Sequence, residues 1–363
     1  MVTSVDERVY WVLLTMVKQI GPARFNLLLD RFGSAEAAWK APLLDLAGAG
    51  LERRAIESLG KLRSTVDPEV EWRRIKQQGV SVVILDDPAY PTSLREIADP
   101  PPVLYVRGDL SPADDWAIAV VGTRRASTYG RQATERIVSD VARAGVTVVS
   151  GLARGIDTYA HRAALAAGGR TIAVLGSGLD RLYPEENRAL AAQIELSGAV
   201  LSEFPLGTPP DAMNFPRRNR IVSGLARATL VVEADVKSGA MITATQAAEQ
   251  GRDVFAVPGS IFSPFSSGPH QLIREGAKIV TDATDILEEL HLTAVVEQRA
   301  TREALPADPT EAALLRLLSD EPTHVDDLTR AAEFPSSTVT ATLTILELKG
   351  LARQLGSMQY VRS

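Results

Sequence analysis

From residue 117 onward, short and almost wholly apolar runs recur between longer segments of helical spacing. The runs are AIAVV (117–121), VTVVS (146–150), TIAVLG (171–176), AVLSE (199–203), TLVVEA (229–234) and DVFAVP (253–258), with a shorter AKIV at 277–280. A strand with one solvated face alternates apolar and polar residues, whereas strands apolar throughout belong to a parallel sheet covered on both faces. Between the first two runs Ala133, Ile137, Val138, Val141 and Ala142 recur at helical spacing. This alternation over residues 117–290 predicts an α/β fold, a Rossmann-like, doubly wound, mostly parallel sheet.

The flanks read differently. A chain of 363 residues exceeds one ordinary domain, and two or three are expected. Residues 1–65 predict a small N-terminal helical (SAM/helix-hairpin-helix-like) domain. In QIGPARFNLLLDRFGSAEAAW (19–39), Gly-Pro opens an apolar-periodic segment and Gly33-Ser34 closes it and caps the next. Such a Gly turn can aim backbone N–H groups at a phosphate, or it can simply pack helices. Residues 66–116 hold strand candidates at 80–85 and 103–106 and a Pro-rich stretch, which together read as a connector packed on the core. Residues 291–309 read as a polar linker, and 310–363 as a winged helix: helices 310–319, 324–332 and 336–349, then two short strands around Gly356. The third helix, SSTVTATLTILELKG, carries only Glu347 and Lys349 as charged residues, and 308–363 hold five basic and eight acidic residues. A groove-reading helix presents Arg, Lys, Asn or Gln, so this wing reads as a protein-binding or regulatory unit rather than a duplex reader.

The absence of cysteine excludes disulfides, thiolate metal sites and a cysteine nucleophile, and fits a reducing compartment. VYWVLLTMV (9–17) follows Asp6, Glu7 and Arg8 with no small-residue cleavage site, and reads as an amphipathic helix rather than a signal peptide. No apolar run approaches the ~20 residues a membrane span needs. A cytoplasmic protein without a membrane partner is expected. The net charge of -6 argues against general coating of nucleic acid, yet residues 117–290 hold eighteen basic and eighteen acidic residues, which leaves room for a local basic site.

In an open α/β sheet, ligands bind at the C-terminal ends of the strands. Here those ends lead into GTRRAS (122–127), SGLARGID (150–157), GSGLD (176–180), FPLGTPPDAMNFPRRNR (204–220), DVKSGAMITA (235–244) and PGSIF (258–262). Most of these loops combine Gly with Ser, Thr, Arg or Lys. Gly lets backbone approach a phosphate, and successive N–H groups then cradle it. Read as loops, they would ring the edge with Arg124, Arg154, Arg217, Arg218, Arg220 and Lys237, an anion site. Neither the dinucleotide fingerprint nor a P-loop is present. Asp157 and His161, spaced i, i+4, read as a cap and a packed histidine, with a metal or base pair as the alternative. Glu203 and Glu233 stand at strand ends, where a carboxylate could act chemically or pair with neighbouring arginines.

In order along the chain, AVVGTRRASTYG (119–130), VVSGLARGIDTYAH (148–161), TIAVLGSGLDRLYPEENRAL (171–190), LSEFPLG (201–207), FPRRNRIVSGLA (215–226), LVVEADVKSGAMITATQAAEQGRDVFAVPGS (230–260) and GPHQLIREGA (268–277) resemble the DNA-processing protein A (DprA/Smf) family over about 200 residues. The resemblance implies a non-enzymatic single-stranded DNA-binding protein that protects incoming DNA and loads the RecA recombinase during natural transformation, a homodimer through its Rossmann-like core, and no cofactor. It places the nucleic-acid site at Gly122, Arg124, Gly151, Arg154, Gly155, Phe215, Arg217, Arg218, Asn219, Arg220, Lys237, Ser238 and Gly239. Phe215 would stack a base while the arginines hold phosphates. Two departures stand out. Members often carry a lysine shortly before Phe-Pro, where this chain has Asp211-Ala212-Met213, and Thr123 replaces a common Ser. A second reading, from a more distant likeness, is a nucleotide phosphoribohydrolase-like enzyme with Glu233 or Glu249 catalytic; SGAMITATQAAE (238–249) is its only echo. A third is a regulatory scaffold that binds protein through the winged helix.

Overall fold

A computed structural model of the chain describes residues 6–290, 309–319, 322–348, 351–356 and 358–362. The chain divides into two compact units, Met1–Leu290 and His291–Ser363.

The first unit is built on one nine-stranded sheet: β1 (Ser81–Ile84), β2 (Val103–Gly108), β3 (Ala117–Val121), β4 (Thr147–Ser150), β5 (Thr171–Val174), β6 (Ala199–Ser202), β7 (Ala228–Val231), β8 (Asp253–Ala256) and β9 (Lys278–Ile279), in the order β1-β2-β6-β5-β4-β3-β7-β8-β9. From β6 to β9 every pairing is parallel. All residues of β3 to β7 are buried, as expected of strands covered by helices on both faces. The order reverses at β3, which lies between β4 and β7, so the crevice outside the carboxyl ends of these strands is the topological switch point.

The segment read as a connector supplies two strands of its own. β1 pairs antiparallel with β2, and β2 pairs antiparallel with β6. The N-terminal helices pack onto that end of the sheet. Arg8–Thr15 buries Val9 to Leu14, and Trp11 stacks at 4.8 Å on Phe25 of the Pro22–Phe32 helix. Gly33 takes the left-handed conformation (φ 79°) that ends this helix, and the Ser34 hydroxyl accepts from the Ala37 N–H to start the next. Leu13, Phe25, Leu28, Val82, Tyr105, Ala173 and Val200 belong to one apolar cluster, so helical region, added strands and sheet share a core.

The second unit holds helices Pro309–Leu317, Val325–Ala332 and Ser336–Leu348 with strands β10 (Thr323–His324), β11 (Ala352–Gln354) and β12 (Gln359–Arg362), ordered β10-β12-β11. Leu314, Leu318, Leu328, Val339, Leu343 and Tyr360 form its core. The sequence gives no strand signal for the two-residue β10. The expected linker lies outside the described residues apart from Pro309, which begins a helix.

Candidate nucleic-acid interface

At the switch point the loops enclose an open cavity of about 730 Å³. Its walls come from residues 121–125 after β3, Gly151, Ala153 and Asp157 after β4, Tyr183 after β5, the 210–222 segment after β6, and Ser238 to Thr243 after β7.

Each loop is held by a short-range device. Beyond β4, the buried Asp157 carboxylate accepts from the N–H groups of Gly151 (3.1 Å) and Ala153 (3.2 Å), which folds residues 151–157 back on themselves. Gly155 has φ 74°, and a Cβ there would collide with the Thr123 carbonyl; this is where the β3 and β4 loops touch. The Thr123 carbonyl in turn accepts from Ile156 N–H at 3.2 Å. A Cβ on Gly151 would stand 2.5 Å from the Arg218 guanidinium, and one on Gly122 would stand 2.5 Å from Ile156. Beyond β3, Glu233 fixes the start of the Thr128–Arg143 helix by accepting from the Ser127 N–H (2.9 Å) and hydroxyl (2.6 Å). Glu233 thus serves as a structural acceptor, with no arginine partner among the described residues. Ser238 occupies the N-cap position of the Gly239–Glu249 helix, whose N-terminus opens onto the cavity, but its buried hydroxyl makes no capping bond and has no hydrogen-bond partner among the described residues. Helix N-termini favour anions.

Phe215 is the centre of the aromatic wall. The Arg124 guanidinium lies 5.4 Å from its ring centroid, Arg218 lies 5.9 Å away, and the Tyr183 ring sits at 6.2 Å, tilted 53°. Arg124 is exposed and forms no ion pair or side-chain hydrogen bond among the described residues, so its charge is free for a ligand.

The arginines of FPRRNR do not line one edge: of the expected site residues, Arg217 and Arg220 lie off the cavity. The segment begins a helix, Asn214–Gly224; Pro216 is tolerated because the first-turn N–H groups have no helical partner in any case. Successive residues therefore turn by about 100°. Phe215, Arg218 and Asn219 face the cavity, while Arg217 and Arg220 do not. Arg218 is buried: its Nη1 donates to the Gly151 carbonyl at 2.7 Å and to the Val174 carbonyl, and its Nε donates to Asn219 Oδ1 at 3.2 Å. It braces the ends of β4 and β5 from the cavity floor. Burial pushes its guanidinium down to about 10, which leaves it charged at neutral pH. Burial also raises the Asp157 carboxyl, against the opposing pull of Arg218 and the two backbone donors. Asn219 Nδ2 donates to the Gly239 carbonyl at 3.2 Å and ties this helix to the next. Arg220 is buried on the opposite side, paired with Glu203 (2.6 Å) and Asp99 (3.1 Å). Arg217 is exposed over the Phe204 ring at 5.6 Å and faces a different hollow.

Two further cations stand apart from the cavity. Arg154 makes a bidentate pair with Glu186, both contacts 2.8 Å, beside a small hollow shared with Arg124, Tyr183 and Phe215. Lys237 is exposed in the turn before Ser238 and is not among the lining residues. Tyr183 and Asp157 are the lining residues the sequence reading undervalued. Tyr183 lay inside a quoted motif, but nothing local marks it as an aromatic neighbour of Phe215.

The chemical alternatives are not assembled. His161 is buried with Nδ1 2.7 Å from the Thr171 hydroxyl, its imidazole pushed down to about 3 by burial and the nearby Arg218 charge, and Asp157 is turned to the loop backbone. Glu249 is exposed at the far end of the Gly239–Glu249 helix, about 9 Å along its axis beyond Thr243, the last residue of that helix to line the cavity. Among the described residues no group of three or more His, Cys, Asp or Glu could hold a metal, and no helix is long and apolar enough to cross a membrane.

Comparison with known proteins agrees with this architecture. Residues 81–291 match the family model for DNA recombination-mediator protein A, 298–357 that for the DprA winged helix domain, and 5–61 that for the DprA-like N-terminal HHH domain. The chain is 36% identical over 394 residues to Protein Smf of Synechocystis sp., covering 98% of this chain and 99% of that protein. It is 42% identical to Protein Smf of Escherichia coli over 82% of this chain and 81% of that one. The solved structure of DNA processing protein A from Streptococcus pneumoniae aligns with a TM-score of 0.69 at 37% identity, over 77% of this chain and 97% of that chain. A structure of DNA processing protein A from Helicobacter pylori, solved for insight into that protein's single-stranded DNA binding mode, aligns with a TM-score of 0.52 at 30% identity over 58% of this chain and 95% of that one. Matched from its helical N-terminus to its C-terminal wing, the chain belongs to the DNA recombination-mediator protein A (DprA/Smf) family.

Proposed function

We propose that the protein binds single-stranded DNA in the switch-point cavity without catalysing a reaction on it. The observation that carries the reading is Phe215, a half-buried ring within 6 Å of both the Arg124 and Arg218 guanidinia, at a cavity whose other walls are Gly-rich backbone and a helix N-terminus. A flat ring accepts any base face, and fixed cations with backbone donors accept any phosphate. Together they give affinity without sequence readout. The Helicobacter pylori relative, studied for its single-stranded DNA binding, supports the same reading.

The site comprises Gly122, Arg124, Gly151, Gly155, Phe215, Arg218, Asn219, Ser238 and Gly239, with Arg154 and Lys237 at its margins. Arg124 and the helix N-terminus hold phosphates, Phe215 and Tyr183 hold a base, and Arg218 acts by bracing the floor. In the wider role the protein acts in the cytoplasm during natural transformation, where it protects incoming single strands and loads the RecA recombinase on them. It works as a homodimer through the core, where Ile261 and Phe262, 81% and 91% exposed, offer apolar surface for a second copy.

Fluorescence anisotropy with labelled oligo-dT tests the central claim. Binding should weaken steeply with salt, and blunt duplex should bind poorly. Phe215→Ala should cost about 1–3 kcal/mol, roughly five- to 150-fold in Kd, and Arg124→Ala should also lower the salt slope by about 0.7. A wild-type protein that ignores oligo-dT at low salt would refute the reading.

A further inference from the structure

Arg217 leaves the Phe215 cavity for a second hollow, of about 610 Å³, between the N-terminal helical region and the 203–217 segment. Both hollows share one partition. Along residues 209–213 the chain alternates: Pro209, Asp211 and Met213 face the second hollow, while Pro210 and Ala212 face the cavity. The helix that follows continues the division, with Arg217 on one side and Phe215 and Arg218 on the other. A ligand in the cavity is therefore one thin ridge from the second hollow.

The charges in this hollow are unequally committed. Glu203 is held by Arg220 at 2.6 Å, Arg74 pairs with Glu71 and Asp180, and Asp211 accepts from the Met213 N–H at 2.8 Å. Lys18, from the first helical turn region, and Arg217, from the core, are both exposed and form no ion pair or hydrogen bond among the described residues. Two uncommitted cations from different regions of the fold thus border one hollow. Arg217 lies over the Phe204 ring and acts on the Glu203 carboxylate through space, but among the described residues no carboxylate pairs with it or with Lys18, and a mobile anionic chain can meet both.

We propose that this hollow is a second contact for the same single strand. The strand leaves the Phe215 cavity, crosses the 209–213 ridge and sets one or two phosphates against Lys18 and Arg217. The N-terminal helical region then lengthens the binding track instead of only packing on the core. This rests on the single-strand reading of the cavity, and the experiment separates the two.

The test is anisotropy with a short oligo-dT of about six nucleotides, which fits one cavity, and a long one of about 30, which must cross the ridge. The Lys18→Glu, Arg217→Glu double variant should weaken the long strand roughly tenfold and lower its salt slope by about 1.4, for two phosphates at ~0.7 each, while short-strand binding stays within twofold. Both residues are exposed, and unchanged thermal unfolding confirms that the variant folds. Arg124→Ala should weaken both lengths. If the double variant binds the long strand as the wild type does, or loses both lengths equally, the second contact is wrong and the cavity reading stands. If the wild type binds neither length, both fail.

Discussion

At the loop edge of the core, cations are few but placed. Arg124 forms no ion pair among the described residues, Arg218 is locked on the floor, and the half-buried Phe215 ring lies within 6 Å of both guanidinia. On the third helix of the C-terminal unit, Ser336–Leu348, the only charged residue is Glu347, and Ile345 is 41% exposed among Ser and Thr. Either place could meet a nucleic acid on grounds of fold alone. The difference shows that net charge is a poor guide. The core is balanced at eighteen charges of each sign, yet backbone geometry sets the unpaired Arg124 and the buried Arg218 against the aromatic wall of one cavity. The C-terminal unit has the helices and strands of a duplex reader, but its third helix carries no Arg, Lys, Asn or Gln to bond base edges.

The sharpest way to break this comparison is to remove the brace. Arg218 donates to two buried carbonyls and its charge acts on the buried Asp157, so Arg218→Met takes the donor from both carbonyls and leaves Asp157 only its two backbone donors. Removing one partner of a buried charged arrangement costs about 3–5 kcal/mol. Urea unfolding followed by fluorescence should show that loss. All four tryptophans, 11, 39, 72 and 116, lie in the first unit, so the signal reports on it alone. A loss below ~1 kcal/mol would mean that Arg218 serves the ligand rather than the fold.

How legible this edge is in the sequence depends on the kind of signal. Strands β3 to β7 are apolar on both faces, and that pattern predicts a covered parallel sheet without reference to tertiary contacts. The Gly-bearing turns predict where backbone can approach a ligand. The arginines are different. The Asn214–Gly224 helix has Met213 at its N-cap position, which offers no side-chain cap, and Pro216 in its first turn, so no start signal marks it and the segment reads as loop. Once it is helical, three arginines in four positions take three separate roles: Arg217 over Phe204, Arg218 under the cavity, and Arg220 in an ion pair with Glu203 and Asp99. Arg154 likewise reads as free until the fold brings Glu186, 32 residues on, to 2.8 Å. β1 and β2 are visible as strands, but their antiparallel pairing is a tertiary fact.

A second prediction is that the core edge is acid-sensitive through His161. Burial holds its imidazole at about 3 against an ordinary 6.5. Between these values the unfolded chain binds a proton that the folded one does not. Stability is therefore complete above pH 6.5 and falls by up to ~1.4 kcal/mol per pH unit as the pH drops towards 3. At pH 5 this amounts to about 2 kcal/mol. Tryptophan-monitored urea unfolding of His161→Gln across pH 7 to 4.5 should give a shallower acid limb by about that amount. Parallel curves for the two proteins would remove His161 from the account.

The smallest expected effect is the one most able to overturn the comparison. Deletion of residues 308–363 removes a compact unit with its own core of Leu314, Leu328, Leu343 and Tyr360, and takes away five basic and eight acidic residues. If single strands are held only by the core edge, oligo-dT affinity should stay within about threefold, ~0.6 kcal/mol. The direction is informative as well. A net charge of -3 leaves with the deletion, so any residual change should be a slight gain at low salt that vanishes as salt screens it. A hundredfold loss would mean that Ser and Thr on the third helix hold the strand after all, through hydroxyl contacts to phosphates that need no arginine.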